Sequence, residues 1–301
     1  MKPRWLSLLP SGRSLIIGVP WLWLGLFFLL PFLFVLKISL SEPVLAQPPY
    51  LDLLREIEDG LVTIVINLGS YQLLGEDPLY RNALFSSLKI ASVATLFCLL
   101  LGYPMAYAIA RSPSHWRLPL LMLIILPFWT SFLIRVYAWI GILKGNGLLN
   151  NFLLWLGVID QPLVIMHTPI AVYIGIVYSY LPFVVLPLYA TLVRLDLSLL
   201  EAAADLGCPP WRQFLLITLP LSLPGLLAGG MLVFIPVMGE FVIPDLLGGP
   251  ETLMIGKLLW IEFFNNKDWP VASSLAAVLL LVLIVPFVLM RHFERKAEQT
   301  S

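Results

Sequence analysis

Charge is scarce in this sequence. Asp, Glu, Lys and Arg make up 12% of its 301 residues, against 59% apolar ones, and a soluble domain carries about 25% charged residues. Too little polar surface is left to face water, which excludes a soluble globular protein and points to a polytopic membrane protein. Neither sign is in excess, with 18 basic and 18 acidic residues, so no basic field suggests a nucleic-acid partner. Cysteine is nearly missing: Cys98 lies in an apolar run and Cys208 in a polar loop, and two such residues build no disulfide framework. His115, His167 and His292 are scattered in or beside loops and read as ordinary interfacial residues. No metal-ligand or nucleophile cluster stands out, and no His–Asp or Ser–Lys pair shares the single depth that an intramembrane enzyme requires. No G-x-x-x-x-G-K-[ST] run is present, so the chain has no nucleotide site of that kind. A non-catalytic subunit with no metal and no cofactor of its own is expected.

What is abundant is long, charge-free, apolar sequence. Such runs occupy 14–36, 90–110, 118–134, 161–193, 213–239 and 269–290. Nearly all reach the ~20 residues that cross a ~30 Å hydrocarbon core. The expected fold is an all-α membrane protein, one transmembrane domain over 1–301, with six helices near 15–36, 84–110, 118–143, 169–193, 220–243 and 269–291. The first run exceeds the 7–15 residues of a signal-peptide core and reads as a retained span. Lys and Arg then orient the chain. With both termini on one side, that side holds Lys2, Arg4, Arg13, Arg111, Arg117, Arg194, Arg212, Arg291, Arg295 and Lys296. The opposite, much longer loops hold only Lys37, Arg55, Arg81, Lys144, Lys257 and Lys267. Both termini and the 194–219 loop are therefore expected to be cytoplasmic, with 37–83 outside and no soluble domain at either end. Within 37–83 the stretch from Leu51 to Asp59 reads as a short amphipathic helix. Residues 147–158, too short to span, are expected to lie at the interface or dip into it. Prolines such as Pro104, Pro127, Pro182, Pro187, Pro224 and Pro236 sit in or beside the spans. Either the spans simply tolerate them, as membrane helices do, or they mark a bundle that rearranges.

The most informative stretch is EAAADLGCPPWRQFLLITLPLSLPG, at 201–225. A plain turn between spans needs only a few polar residues, and this loop holds a helix with its own start and stop. Ser198 and Glu201 have capping-box spacing. Ala202, Ala203 and Ala204 favour helix, Gly207 suits a left-handed closing residue, and Pro209-Pro210 forbids continuation. Leu199, Leu200, Ala203 and Leu206 share one face. Such an element either docks a partner or merely anchors the loop at the interface. The order Glu201-Ala202-Ala203, Gly207, Ile217, Leu219-Pro220-Leu221 and Pro224-Gly225 resembles the EAA loop of ABC-importer permeases. Segments 126–157 and 238–276 are similar to the spermidine/putrescine importer permeases, specifically the first of their two permease subunits, and the likeness covers most of 84–291. It implies a type I importer permease in a bacterial inner membrane, translocating polyamines. The implied partners are a cytoplasmic ATPase dimer that binds ATP and Mg, a second permease and an external substrate-binding protein. Glu201, Ala202, Ala203, Gly207 and Pro220 would then belong to the ATPase-coupling segment. A permease for ferric ion, sulfate or an amino acid stays open beside this.

A dehydrated polycation needs carboxylates or aromatic faces. Candidates are Glu240 and Asp245 near the outer end of span five, with Trp129, Tyr137, Trp139, Trp260 and Trp269. Trp and Tyr also gather at membrane interfaces with no ligand at all. Glu240 follows 27 charge-free residues, where an acid is costly unless paired or wetted, so it serves either the cargo or a structural partner. Arg135 is expected near the outer boundary, its head reaching water. Either Glu240 and its neighbours neutralise Arg135, or the cargo is not a cation.

Overall fold

The computed structural model of the chain describes residues 12–57 and 61–300. The N-terminal Lys2 and Arg4 lie outside the described residues, as do Glu58 and Asp59. Helices dominate because, in hydrocarbon, a span must satisfy its backbone N–H and C=O groups within itself. Five helical stretches are long and apolar enough to cross a membrane: Ile16–Ser39, Pro78–Arg111, Phe132–Trp155, Pro169–Leu192 and Trp269–Val288. The pair Pro210–Leu221 and Leu223–Met238, bent by 64°, makes a sixth if counted as one span.

The described residues fall into two compact bodies. One comprises residues through Asp77 together with Leu259–Leu280. It contains α1 (Gly12–Leu24), a π turn at Gly25–Leu29 and α2 (Leu30–Ser39). No side chain between Ile16 and Ile38 is buried. The end of α2 is held differently. Ser39 Oγ donates to Leu36 O at 2.8 Å and accepts from the Tyr71 hydroxyl at 2.8 Å. Lys37 pairs with Asp52 at 2.6 Å. Of the 51–59 stretch, the described residues 51–57 are not helical. They contribute β1 (Leu54–Ile57), antiparallel to β2 (Leu61–Ile64), with Leu54 opposite Ile64 and Ile57 opposite Leu61. The β-branched run Val62-Thr63-Ile64-Val65-Ile66 offers a strand partner, and pairing outweighs the local helical spacing. Helix α3 (Gly69–Glu76) follows.

The other body runs from Pro78 to Leu258 and takes in residues from Leu281 onward. Its elements are α4 (Pro78–Arg111), α5 (Ser114–Ile125), α6 (Phe132–Leu143), α7 (Leu148–Trp155), α8 (Pro169–Leu192), α9 (Ser198–Asp205), α10 (Pro210–Gln213), α11 (Leu219–Leu221), α12 (Leu223–Met238), α13 (Val242–Leu247) and α14 (Ile255–Trp260), which runs on past Leu258. The final helix, α15 (Trp269–Thr300), belongs in part to each body. The core is the trio α4, α8 and α12. Ala91, Ala94, Cys98 and Ala106 of α4 are buried there, as are Val184, Val185 and Leu188 of α8 and Val233 and Val237 of α12. Lipid is as apolar as leucine, so close backbone approach, rather than expulsion of water, favours such contacts. Glycine makes the approach possible. A Cβ on Gly229 would stand 3.1 Å from Val184 Cα, and one on Gly225 would stand 2.4 Å from Thr191 Oγ1. Leu96, Phe97, Leu100 and Leu101 on the other side of α4 are exposed, as a lipid-facing stripe should be.

Span three departs from the expected single helix over 118–143. Helix α5 tightens into a 3₁₀ turn at Leu126–Trp129, Thr130 and Ser131 are extended, and α6 begins at Phe132. Pro127 has no N–H to continue the ladder. The short segment after α6 forms α7. Its buried Asn150 accepts from Leu163 N at 2.8 Å and donates to Leu163 O at 3.0 Å.

Candidate functional site

Helix α9 is the exposed element between α8 and α12, and it has no buried residue. Its start differs from the expected capping box. Ser198 is already the first helical residue, and its N–H bonds Asp196 Oδ1 at 3.0 Å. Asp196 thus does the capping, and Glu201, one turn on, is simply exposed. The stop is the one expected. Gly207 has φ +77°, Gly207 N–H bonds Ala204 O at 2.8 Å, and Cys208 N–H bonds Ala203 O at 3.0 Å. That double closure is a Schellman motif, which needs the left-handed residue that glycine supplies without strain. Pro210 then opens α10, where its missing N–H costs nothing. Leu200 and Ala203 are half-buried, whereas Leu199 and, past the helix end, Leu206 are exposed, Leu206 by 88%. The helix therefore presents Ala202, Leu199 and Leu206 outward.

From α10 the chain runs through a π turn, Phe214–Thr218, and α11, where Pro220 lies exposed, to the 64° elbow. Ser222 sits at the bend, fully buried. Its hydroxyl donates to Leu219 O at 3.0 Å and so accepts from the Tyr103 hydroxyl at 2.8 Å. Pro224 withholds a donor just beyond, and its ring favours the bend. The elbow is thereby pinned to α4.

A second group of residues gathers where α6, α8 and α13 pack together. Glu240 is 7% exposed. Its Oε2 accepts from the Tyr180 hydroxyl at 2.5 Å, and its Oε1 accepts from the N–H groups of Phe241, Val242 and Ile243 at 3.1, 2.9 and 3.3 Å. The carboxylate caps the start of α13, where orphan N–H groups attract negative charge. Arg135 does not meet it. The guanidinium instead donates to Pro127 O at 2.9 Å and lies 4.7 Å from the Phe128 ring centre and 5.8 Å from that of Phe132. It thus satisfies a carbonyl at the break in span three, while its Nε is buried without a partner. Asp245, on α13, is ion-paired to Lys257 on α14. Trp139 meets Tyr178 edge-on at 5.2 Å, while Tyr137 and Trp129 are exposed by 59% and 76%. Trp260 and Trp269 belong to the first body. There Trp269 stacks on Phe263 at 5.2 Å, and Trp260 lies 4.1 Å from Phe264, ring centre to ring centre.

With this geometry in place, the family model described as "binding-protein-dependent transport system inner membrane component" matches residues 12–299. The chain belongs to that family. Among its relatives, the spermidine/putrescine transport system permease protein PotB of Escherichia coli (strain K12) is 44% identical over 280 residues, covering 92% of this chain and 97% of the relative. The Haemophilus influenzae protein of the same name is 36% identical over 290 residues, covering 95% and 96%. A solved bacterial ABC transporter involved in the import of the acidic polysaccharide alginate superposes with TM-score 0.69. The match covers 94% of this chain and 96% of that one at 17% identity, which speaks for the fold alone. The permease is thus a multi-pass inner-membrane transport subunit with the type I ABC-importer fold.

Several contacts of the permease were not legible in the sequence. Tyr180 is a polar group inside a charge-free run, and nothing local ties it to Glu240, 60 residues away. Lys257 likewise lies 12 residues from Asp245 with no signal linking them. Asp196 did carry a signal, since an Asp two residues before a helical N–H is an Asx turn.

Proposed function

We propose that this permease forms half of the membrane pathway of an ATP-driven importer of polyamines such as spermidine and putrescine. The single observation carrying this is the 44% identity to the spermidine/putrescine permease across 97% of that protein's length. In this reading a second, similar permease completes the pathway and an external binding protein delivers the cargo. A cytoplasmic ATPase dimer, holding ATP and Mg, grips α9 through Ala202, Ala203 and Glu201, with Gly207 setting the turn and Pro220 the path to the elbow. Both termini and the 194–219 loop face the cytoplasm. ATP-driven closure displaces α9, and the α10–α11 arm passes that movement to α12 through the elbow. Pro127 O and two phenylalanine faces engage Arg135 without cancelling its charge, so in this reading the cargo's ammonium groups are held away from it. The outward candidates for an ammonium are Asp245 and the exposed aromatics Trp129 and Tyr137. Glu240 serves them indirectly by fixing α13. The test is uptake of labelled spermidine in cells that lack their own polyamine systems and express this chain with its partner subunits. Uptake that depends on this chain is expected, and none with every subunit present would overturn the reading.

A further inference from the structure

Helix α4 is charge-free from Ile90 to Ala110. At ~1.5 Å per residue such a run crosses a hydrocarbon core of ~30 Å, so the next residue, Arg111, stands at the level of the lipid headgroups. Helix α5 follows closely and carries Arg117 in its first turn. Both arginines are half-buried, and neither head trails freely in water. The Arg111 guanidinium lies 5.2 Å from the Tyr107 ring centre. Arg117 Nε donates to Ser112 O at 2.9 Å, and the Ser112 hydroxyl is tied back to Ala108 O at 2.7 Å. That bond uses one of the five N–H donors of Arg117. Among the described residues no carboxylate pairs with either arginine. From Pro78 to Ile159 the chain has no Asp or Glu at all. Two apolar faces lead away from this corner. Leu100 and Leu101 of α4 are exposed, and so are Leu118 and Met122 of α5, a helix with no buried residue. Beside Arg117 stands Trp116, 55% exposed, a residue type that favours the headgroup layer.

We infer that the α4–α5 turn binds an anionic phospholipid, its phosphate held between Arg111 and Arg117 and its acyl chains lying along the exposed faces of α4 and α5. A guanidinium presents paired N–H groups that match phosphate oxygens two at a time, and two such forks with no acid of their own lack a counter-charge. Arginines that served only to orient the chain would work equally well loose in water. Here ring and carbonyl contacts hold both heads at the corner where the apolar faces end, which is the shape of a whole lipid rather than of a free anion. The absence of acids also selects among lipids. A zwitterionic headgroup brings an ammonium that finds no carboxylate in this segment, whereas a glycerol headgroup needs none. Nothing in the inference depends on the cargo.

The test is native mass spectrometry of the purified importer, assembled with its partner subunits and titrated with phosphatidylglycerol or phosphatidylethanolamine. The unmodified assembly should retain phosphatidylglycerol in preference to phosphatidylethanolamine. Arg111→Gln and Arg117→Gln should each weaken that retention about fivefold, and the double variant by the product. Arg194→Gln removes an exposed arginine outside the turn and should leave retention unchanged. Replacing both Arg111 and Arg117 by Lys keeps the charge but not the Arg117 bond to Ser112, and should preserve most of the binding. Equal retention of the two lipids overturns the inference, as does undiminished phosphatidylglycerol in the double Gln variant. A matching loss in Arg194→Gln also overturns it, since that marks general surface charge. So does a double Lys variant as weak as the double Gln one, because the arginines are then structural. Displacement of the lipid by millimolar inorganic phosphate would mark a free-anion site instead. Loss of the ATPase subunits from the double Gln variant with its lipid retained would mark a protein contact, and the lipid assignment would fall.

Discussion

At position 240 a carboxylate sits nearly out of reach of solvent with every short-range partner supplied by its own chain. Three backbone N–H groups and one phenol surround it, so it keeps its place by local satisfaction rather than by waiting for a ligand. Removing the phenol hydroxyl strips one bond to a charged group, worth about 1.5–3 kcal/mol. Tyr180→Phe is therefore expected to lower the melting temperature of the purified permease in detergent, and an unchanged melting temperature would show that the bond is dispensable. Asp268 presents the opposite balance at the start of α15. Its Oδ1 accepts from Val271 N–H at 3.0 Å, which lowers the pKa. Burial outweighs that bond, and the nearby Glu262 charge adds to it, so the carboxyl titrates above its usual 3.8. A folded-state pKa above the unfolded one means that the folded protein holds the proton more tightly. The stability from this group is present below the unfolded pKa and is lost as pH rises through the raised folded value. Asparagine caps as well as aspartate without the buried charge. Asp268→Asn should thus raise the neutral-pH melting temperature and flatten its decline from acid to neutral pH.

Elements carry the next set of consequences. Helix α9 is closed at one end by Asp196 and at the other by Gly207, whose left-handed backbone costs an L-residue about 1–2 kcal/mol. No atom lies within 4 Å of where a Gly207 Cβ would sit, so Gly207→Ala strains the backbone without a clash. The expected outcome is normal membrane insertion with ATP hydrolysis uncoupled from uptake, read as hydrolysis and transport rates in proteoliposomes. Most of this element was legible, because its stop signals, Gly then Pro-Pro, act locally. Its cap was misassigned to Ser198, because the choice between two neighbouring oxygens depends on the turn leading in. The helices over 84–110 and 169–192 were legible for a stronger reason, since a charge-free run of about 20 residues has no alternative in hydrocarbon; the extension of α4 back to Pro78, through Arg81, lay outside that signal. The break at Leu126–Ser131 was not. Proline inside a membrane helix is often absorbed, as Pro104 and Pro182 are here, whereas Pro127 O turns to the Thr130 hydroxyl at 2.8 Å and to the Arg135 guanidinium, arriving from the next helix, at 2.9 Å. The β1–β2 pair was missed because a partner strand four to ten residues downstream overrode a local helical pattern.

At the scale of the whole molecule, two free cysteines report on orientation. Cys98 is buried within the α4 core and Cys208 is half-buried at the end of α9. A membrane-impermeant maleimide should label Cys208 in inside-out vesicles and leave it unlabelled in right-side-out ones, with Cys98 silent in both. The reverse pattern would place α9 outside and remove the ATPase contact. Such a contact matters only if its motion travels, and the α4–α8–α12 trio determines how. With Gly225 and Gly229 bringing backbones into touch, a side-by-side slip of one turn would drive Val184 or Thr191 into main chain. The three rods are meshed like gear teeth, so they can tilt as one solid piece but not glide past each other. Whatever stroke enters at the α10–α11 arm must then emerge as rotation, with the Ser222 bend as its pivot.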